Sequence, residues 1–173
     1  LVIPRGGEGL IRAVTAKSRI PVLKHYKGVC HAYIDVNADM EMAQGIILNA
    51  KIQRPSACNA LEGILVHQAI AGEFLPRAAM ALHQEGVHLL GCSRSQEIST
   101  LIEAAEEEDW GREFLDLAMV IRVVDDLDEA LDYVDCYGSR HTETIITRSY
   151  ANSQRFLQEV DASAVMVNAS TRF

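Results

Sequence analysis

The chain has 173 residues, of which 49% are hydrophobic and 23% charged, and this composition is typical of one globular domain with a single sizeable core. Its formal net charge of −8 at pH 7 disfavours nucleic acid as a partner. No run approaches the roughly 18 apolar residues that a membrane span requires, so a membrane is not expected as a partner either.

Apolar residues follow strand spacing and helix spacing in alternation along the chain. The first helix is expected after the glycine-rich turn Arg5–Gly9, and another after the cap signal Asn37-Ala38-Asp39. The segment 99–111, with the acidic run Glu106–Asp109, is predicted to be an exposed loop. In chain order, the predicted strands are 29–36, 62–67, 87–90, 117–124, 142–147 and 164–167, and the predicted helices are 10–17, 40–51, 69–84, 127–136 and 149–159.

Such alternation predicts the α/β class, with a mostly parallel sheet between two layers of helices in a three-layer αβα arrangement. Residues 1–173 are expected to form a single domain. The chain opens on Leu1–Pro4, which reads as the end of a strand, and it stops soon after the last predicted strand. We therefore expect this domain to be a segment of a longer polypeptide.

The cysteines and histidines show no metal-site spacing. No Cys-x-x-Cys or His-x-x-x-His pair occurs, so no metal is expected. The start of the chain lacks the basic residues of a secretion signal. A chain of this size does not need disulfides, so we expect reduced thiols and a cytoplasmic location. The four cysteines are Cys30, Cys58, Cys92 and Cys136.

Cys58 stands out among the four because breaker and polar residues flank it, whereas a core thiol has apolar neighbours. It lies between the turn-forming Arg54-Pro55-Ser56 and a predicted buried strand. A cysteine at the boundary of an element can receive backbone N–H groups, and Lys51 and Arg54 supply positive charge nearby; both effects favour the thiolate. We therefore predict that Cys58 is a nucleophile, and that Cys30, in an apolar strand, is a buried small residue.

Four segments, in order along essentially all 173 positions, resemble the gamma-glutamyl phosphate reductase family of the aldehyde dehydrogenase superfamily. They are Ile3-Pro4-Arg5-Gly6-Gly7, Val29-Cys30-His31-x-Tyr33-x-Asp35, Asn49-Ala50-Lys51-x-Gln53-Arg54-Pro55-x-x-Cys58-Asn59-Ala60-x-Glu62, and Val167-Asn168-Ala169-Ser170-Thr171-Arg172-Phe173.

This resemblance implies an aldehyde-dehydrogenase-like catalytic domain that uses NADPH to reduce L-glutamyl 5-phosphate to L-glutamate 5-semialdehyde, with release of phosphate, in proline biosynthesis. The implied cofactor is NADPH/NADP, and the implied partners are the acyl phosphate substrate and glutamate 5-kinase. The parts that bind NADP and form a homo-oligomer would lie outside this chain.

The resemblance also assigns roles to residues. Cys58 would form a thioester with the substrate. Hydrolytic aldehyde dehydrogenases carry a water-activating glutamate in a Glu-Leu-Gly-Gly segment, whereas the matching residues 21–28 contain no carboxylate. An enzyme that must keep water away from a thioester gains from that loss, so the departure argues against ordinary aldehyde oxidation.

Cofactor contacts are expected from the turn containing Arg5, Gly6 and Gly7, which opens a helix, and from Glu113, which matches a ribose-binding glutamate of the superfamily. Two alternatives stay open: the turn could be an ordinary connection, and Glu113 could be a surface residue.

Substrate contacts are expected from residues that flank Cys58 or follow the last strand. Those after the strand would lie where open α/β sheets build their sites, and an arginine can clamp a carboxylate or a phosphate. For Arg54 and for Arg172, a structural role is an equal alternative. The expected set is Arg54, Asn59, Ser170, Thr171 and Arg172, with Asn59 and Glu62 also supporting the Cys58 segment.

Two other hypotheses compete with this function. The chain could be a non-catalytic isolated domain, because it carries no full Gly-x-Gly-x-x-Gly dinucleotide motif. It could also belong to a related semialdehyde or acyl-phosphate dehydrogenase that acts on another acid. We expect the isolated 173-residue chain to show little turnover.

Overall fold

The computed structural model describes residues 1–23 and 27–173. Within these ranges the strands are β1 (Cys30–Ile34), β2 (Leu61–His67), β3 (His88–Gly91), β4 (Glu103–Ala104), β5 (Ala118–Val124), β6 (Thr142–Ile146) and β7 (Ala164–Val167). The helices are α1 (Glu8–Lys17), α2 (Met40–Ile52), α3 (Gln68–Gln84), α4 (Ser93–Ile98), α5 (Leu127–Tyr137) and α6 (Tyr150–Glu159). Of these helices, none combines the length and the apolar composition needed to cross a bilayer.

The strands form one sheet in the order β4-β3-β5-β2-β1-β6-β7, and every described strand pair is parallel. Parallel neighbours need a crossover between them, and most of these crossovers carry a helix. One register row runs across the middle of the sheet through Val120, Gly63, His31 and Glu143. The prediction of an α/β fold with a mostly parallel sheet is therefore confirmed.

Side chains from successive strand residues enter two different cores, because they point to opposite faces of the sheet. Ala32 and Ile34 pack in the core that α2 and α3 cover, while Tyr33 packs in the core that α5 and α6 cover. Burial on both faces explains the nearly continuous apolar run of β2. The helices thus lie on both faces, as the three-layer prediction requires.

Helix α2 matters for the site because it leads into the segment that carries Cys58. Its N-cap is Asp39, as predicted, and the Asp39 carboxylate accepts the N–H groups of Glu41 and Met42 at 3.1 and 3.0 Å. The helix ends at Ile52, and the next strand begins at Leu61. The eight residues between them, 53–60, are called the cysteine loop below.

The prediction of an exposed loop over 99–111 is only partly right. Strand β4 and a 3₁₀ turn, Glu107–Asp109, lie inside that segment, and α4 just before it was not predicted. Asp109 is buried because its carboxylate accepts the Glu106 N–H at 2.9 Å and pairs with Arg112. These elements have six residues or fewer, which is too short for apolar periodicity to reveal them.

Candidate active site

The candidate site lies where the loops that precede β1, β2 and β5 come together. Gly28 precedes β1, Cys58 precedes β2 and Glu113 precedes β5. Because these strands are parallel and adjacent, the loops that enter them meet at the amino edge of the sheet. Open α/β sheets more commonly bind ligands at the carboxyl edge, so this location differs from the usual one.

A cleft of about 750 Å³ opens at this edge, and we call it the amino-edge cleft. From the predicted site it brings together Cys58, Gly6, Gly7 and Glu113. Sequence reasoning missed other lining residues, among them Lys27, Gly28, Ser56 and Trp110. A glycine just before a strand, such as Gly28, indicates a close backbone contact and could have been used to find the site. Trp110 lies in the segment 99–111, which the sequence predicts to be an exposed loop.

Cys58 is exposed on the cysteine loop. The loop contains two consecutive turns, 54–57 and 57–60, and Cys58 lies in the second. The N–H of Ala57 donates to the Arg54 carbonyl at 3.1 Å, and the N–H of Ala60 donates to the Ala57 carbonyl at 2.8 Å. Pro55 at the second position of the first turn suits this backbone. The breaker residues therefore project Cys58 out of the fold and into the cleft.

The backbone of Cys58 rests directly against the segment before β1. A Cβ atom at Gly28 would lie 1.8 Å from the Cys58 carbonyl oxygen, so only glycine fits there. The Cys30 thiol lies 3.5 Å from the same oxygen. Cys30 is fully buried, as predicted, and its burial, with Glu143 nearby, raises the pKa of its thiol.

The expectation that Lys51 supports the Cys58 thiolate as a neighbouring cation is wrong. Lys51 is fully buried, and its Nζ lies 2.9 Å from Oε2 of the equally buried Glu62. Loss of water raises the pKa of Glu62 to about 6 and lowers that of Lys51, although the attraction within the pair opposes both shifts. Arg54 is exposed on the loop.

Glu113 faces the cleft and is tied to the Cys58 neighbourhood. Its Oε1 accepts the N–H of Gly28 at 2.7 Å. Two residues later Leu115 has φ of 56°, a left-handed conformation that is rare for a non-glycine residue, and its N–H donates to Glu62 Oε1 at 3.3 Å. The sequence had left open an exposed surface role for this glutamate; the structure instead puts it in the cleft wall.

The amino end of α1 forms another part of the cleft wall. Gly6 has φ of 152°, and Gly7 is the N-cap of this ten-residue helix, with no side-chain hydrogen bond to the cap in the described structure. The first N–H groups of a helix lack partners within it, and the turn that precedes them, at Gly6 and Gly7, lines the cleft. Arg5 is exposed and does not line the cleft.

None of the five residues expected to contact the substrate lines the cleft. Arg54 and Asn59 belong to the cysteine loop, and the other three follow β7. Asn59 is buried. After β7, Asn168 adopts a left-handed backbone conformation with φ of 53°. Further along, Arg172 Nε donates to Oε1 of Gln53 at 3.2 Å, just after the end of α2. Thr171 is fully buried, and its hydroxyl finds no partner in the described structure. Ser170 accepts the Arg172 N–H at 3.1 Å.

The terminal residues 170–172 were expected at the carboxyl edge, where β7 ends. The contact of Arg172 with Gln53 brings them instead to the helix end that leads to Cys58. Because α2 runs back between two parallel strands, that end lies on the amino side of the sheet. In the described part of the chain, no group of three His, Cys, Asp or Glu side chains could hold a metal ion.

Comparisons with known proteins agree with the overall fold. No protein-family model matches the chain. A solved acetylating aldehyde dehydrogenase from Geobacillus thermoglucosidasius superimposes with a TM-score of 0.75 at 19% identity, over 99% of this chain and 46% of that one. Other solved structures with this fold, at under 20% identity, include NADP complexes. By its fold, the chain is therefore an aldehyde-dehydrogenase-like α/β domain.

Closer relatives define the family. A curated gamma-glutamyl phosphate reductase from Desulfotalea psychrophila is 59% identical over 173 residues, which is 100% of this chain and 41% of that protein. The crystal structure of gamma-glutamyl phosphate reductase from Thermotoga maritima matches with a TM-score of 0.97 at 47% identity, over 99% of this chain and 42% of that one. In sequence and in fold, the chain matches one segment of these gamma-glutamyl phosphate reductases. It spans about two fifths of the length of these relatives.

Proposed function

We propose that residues 1–173 form the cysteine-bearing catalytic domain of an NADP-dependent gamma-glutamyl phosphate reductase. The reaction reduces L-glutamyl 5-phosphate to L-glutamate 5-semialdehyde and releases phosphate, as a step of proline biosynthesis. The observation that carries this proposal is the 59% identity with a curated gamma-glutamyl phosphate reductase over the entire chain. The exposure of Cys58 in a cleft of suitable size supports it further.

In this proposal Cys58 is the nucleophile. Its thiolate adds to the acyl carbon of the substrate, the bond from that carbon to the phosphate oxygen breaks, and phosphate leaves with the electron pair. The product is a thioester, which accepts a hydride more readily than an oxygen ester does. Hydride addition to the acyl carbon gives a thiohemiacetal anion on Cys58, which collapses to the free aldehyde and the thiolate. The thiolate is therefore regenerated at the end of each cycle.

The walls of the cleft suit a nicotinamide dinucleotide, which when bound supplies the hydride. The amino end of α1 at Gly6 and Gly7 offers backbone donors of the kind that hold a phosphate group. Glu113 offers a carboxylate oxygen for ribose hydroxyls. Arg5 remains a proposed contact, but it would have to reach the cofactor from outside the cleft wall.

Exclusion of water is the remaining chemical requirement, because water would hydrolyse the thioester. The prediction that no activating carboxylate stands in 21–28 falls in part on residues 24–26, which lie outside the described residues. In sequence those three are lysine, histidine and tyrosine. Glu113 does reach the cleft, but its Oε1 already accepts the N–H of Gly28.

Substrate recognition and partners complete the proposal. We propose that Arg54 and Asn59 on the cysteine loop, together with Ser170, Thr171 and Arg172 after β7, bind the substrate in the full enzyme. The NADP-binding and oligomer-forming parts would belong to the remaining length of the relatives. An acyl phosphate is labile, so glutamate 5-kinase, the enzyme that makes it, is the expected partner.

The test is the reverse reaction, measured with a longer protein that carries this chain and has the full length of its relatives. We expect NADPH to form from NADP⁺ only when both L-glutamate 5-semialdehyde and phosphate are present. Cys58→Ala should abolish turnover, and Cys136→Ala, which removes another exposed thiol, should leave it unchanged.

Each alternative predicts a different result. NADPH formation without phosphate would point to a hydrolytic dehydrogenase, and better turnover with another semialdehyde would point to a different acid. The absence of turnover by the longer protein would favour a non-catalytic domain. Little turnover by the 173-residue chain alone is expected under the proposal itself.

A further inference from the structure

Glu113 makes a contact that its expected role in binding a cofactor does not explain. Its Oε1 accepts the backbone N–H of Gly28, 85 residues away in sequence, at 2.7 Å. This is at the short end for an N–H···O hydrogen bond, as is usual when the acceptor is a carboxylate. The contact joins the segment before β5 to the segment before β1 across the amino-edge cleft.

Gly28 in turn sets the position of the nucleophile's backbone. A Cβ built on Gly28 would lie 1.8 Å from the carbonyl oxygen of Cys58, 2.6 Å from its carbonyl carbon and 2.8 Å from its Cα. The two backbones are therefore in direct contact, with no side chain between them. A shift of Gly28 would move the peptide of Cys58 or leave a gap against it.

The segment that carries Glu113 has a second contact, which is made by Leu115. The N–H of Leu115 donates to Glu62 at 3.3 Å, and Glu62 is fixed by its buried pair with Lys51. Glu62 and Lys51 stand at the two ends of the cysteine loop, one on β2 and the other in the last turn of α2. The contacts therefore link Cys58, through Gly28 and the segment 113–115, to the two residues that flank the cysteine loop.

We propose that Glu113 is a positioning residue for Cys58, which acts through the Gly28 amide whether or not a cofactor is bound. The inference rests on the proposed function only in taking Cys58 as the reacting group. The position of the loop is a property of the fold and can be measured without turnover. The function needed at position 113 is a hydrogen-bond acceptor for Gly28, and a negative charge is not required.

The test is hydrogen–deuterium exchange of the cysteine loop in three variants, without nucleotide. Glu113→Ala removes the acceptor, so exchange over residues 53–60 should rise by roughly tenfold, the effect of losing one such bond. Glu113→Gln keeps an amide oxygen in reach of Gly28 and should restore most of the protection. Glu108→Ala removes another carboxylate of the same cleft wall and should change nothing.

A second readout separates positioning from charge. The pH profile of Cys58 alkylation, with Cys136 as an internal reference, should broaden or shift in Glu113→Ala and stay close to the parent profile in Glu113→Gln. Equal effects of the two substitutions would show that charge is what matters and would overturn the inference, as would unchanged exchange in Glu113→Ala. Failure of the reductase assay would leave these results intact, so the two proposals fail separately.

Discussion

Gly28→Ala would place a methyl carbon 1.8 Å from the Cys58 carbonyl oxygen, whereas Cβ atoms essentially never come within 3.0 Å of a neighbour. The two backbones would have to separate by at least about 1.2 Å, since neither contact atom is the end of a flexible side chain. Overpacking of this kind costs about 1–3 kcal/mol or more of the free energy of unfolding. A displacement of about 1 Å at a reacting group can lower kcat by on the order of 10²-fold.

Gly45→Ala is the matched control, because nothing lies within 4 Å of its added Cβ on α2. There alanine should raise the free energy of unfolding by about 0.5–1 kcal/mol, since it favours the helix. Denaturant unfolding of the two variants measures the free energy of unfolding. The kcat of the longer protein reports whether Cys58 is displaced. If Gly28→Ala unfolded at the parent's denaturant concentration and kept the parent's kcat, the close packing of Gly28 on Cys58 would be refuted.

Four other predictions concern buried groups. Lys51→Met leaves the buried carboxylate of Glu62 without its partner and should lower the free energy of unfolding by about 3–5 kcal/mol near neutral pH. Adding Glu62→Gln should recover part of that loss. A denaturation series in which the double variant is no more stable than Lys51→Met would contradict this. Burial raises the pKa of Glu62 from 4.5 to about 6, so the folded state holds the Glu62 proton more tightly than the unfolded state does. The stability that protonated Glu62 contributes is therefore full below about pH 4.5 and is lost as pH rises through 6. Unfolding measured across this range should show the parent losing about 2 kcal/mol relative to Glu62→Gln. Native alkylation with peptide mapping should modify Cys58 long before Cys30, whose burial raises its pKa, and equal rates would contradict the described packing. Asp35→Ala strips the acceptor from the buried Thr147 hydroxyl and from the half-buried Asn152 amide and should cost about 1–3 kcal/mol on thermal unfolding, whereas an unchanged Tm would show that those donors find water.

Strand and helix periodicity predicted most of the sheet, because each long element carries its own pattern. Strand β2 contains the unbroken apolar run Ile64-Leu65-Val66, and Asp39 marks the start of α2 through a local hydrogen bond. The short elements between 93 and 109 could not be predicted in this way. These elements have too few residues for apolar periodicity, and the hydrogen bonds of the Asp109 carboxylate, which stabilise the 3₁₀ turn, leave no trace in that periodicity.

Charge near Cys58 was the weakest inference from sequence. Lys51 is seven residues from Cys58, and nearness in sequence suggested that its charge would act on the thiol. The fold instead turns Lys51 into the core, where Glu62 neutralises it. Eleven residues separate these partners, and only the packing of α2 against β2 brings them together.

The sequence by itself determined the α/β class, the approximate bounds of the long elements and the exposure of Cys58, because these depend on residue periodicity and on the turn residues that flank the cysteine. Only the tertiary structure decided which distant residues meet at the amino edge. Gly28, Cys58 and Glu113 lie on loops that precede three different strands, and their proximity follows from the direction and order of those strands in the sheet. Strand order is a property of the whole fold, since it arises from pairing between segments far apart along the chain.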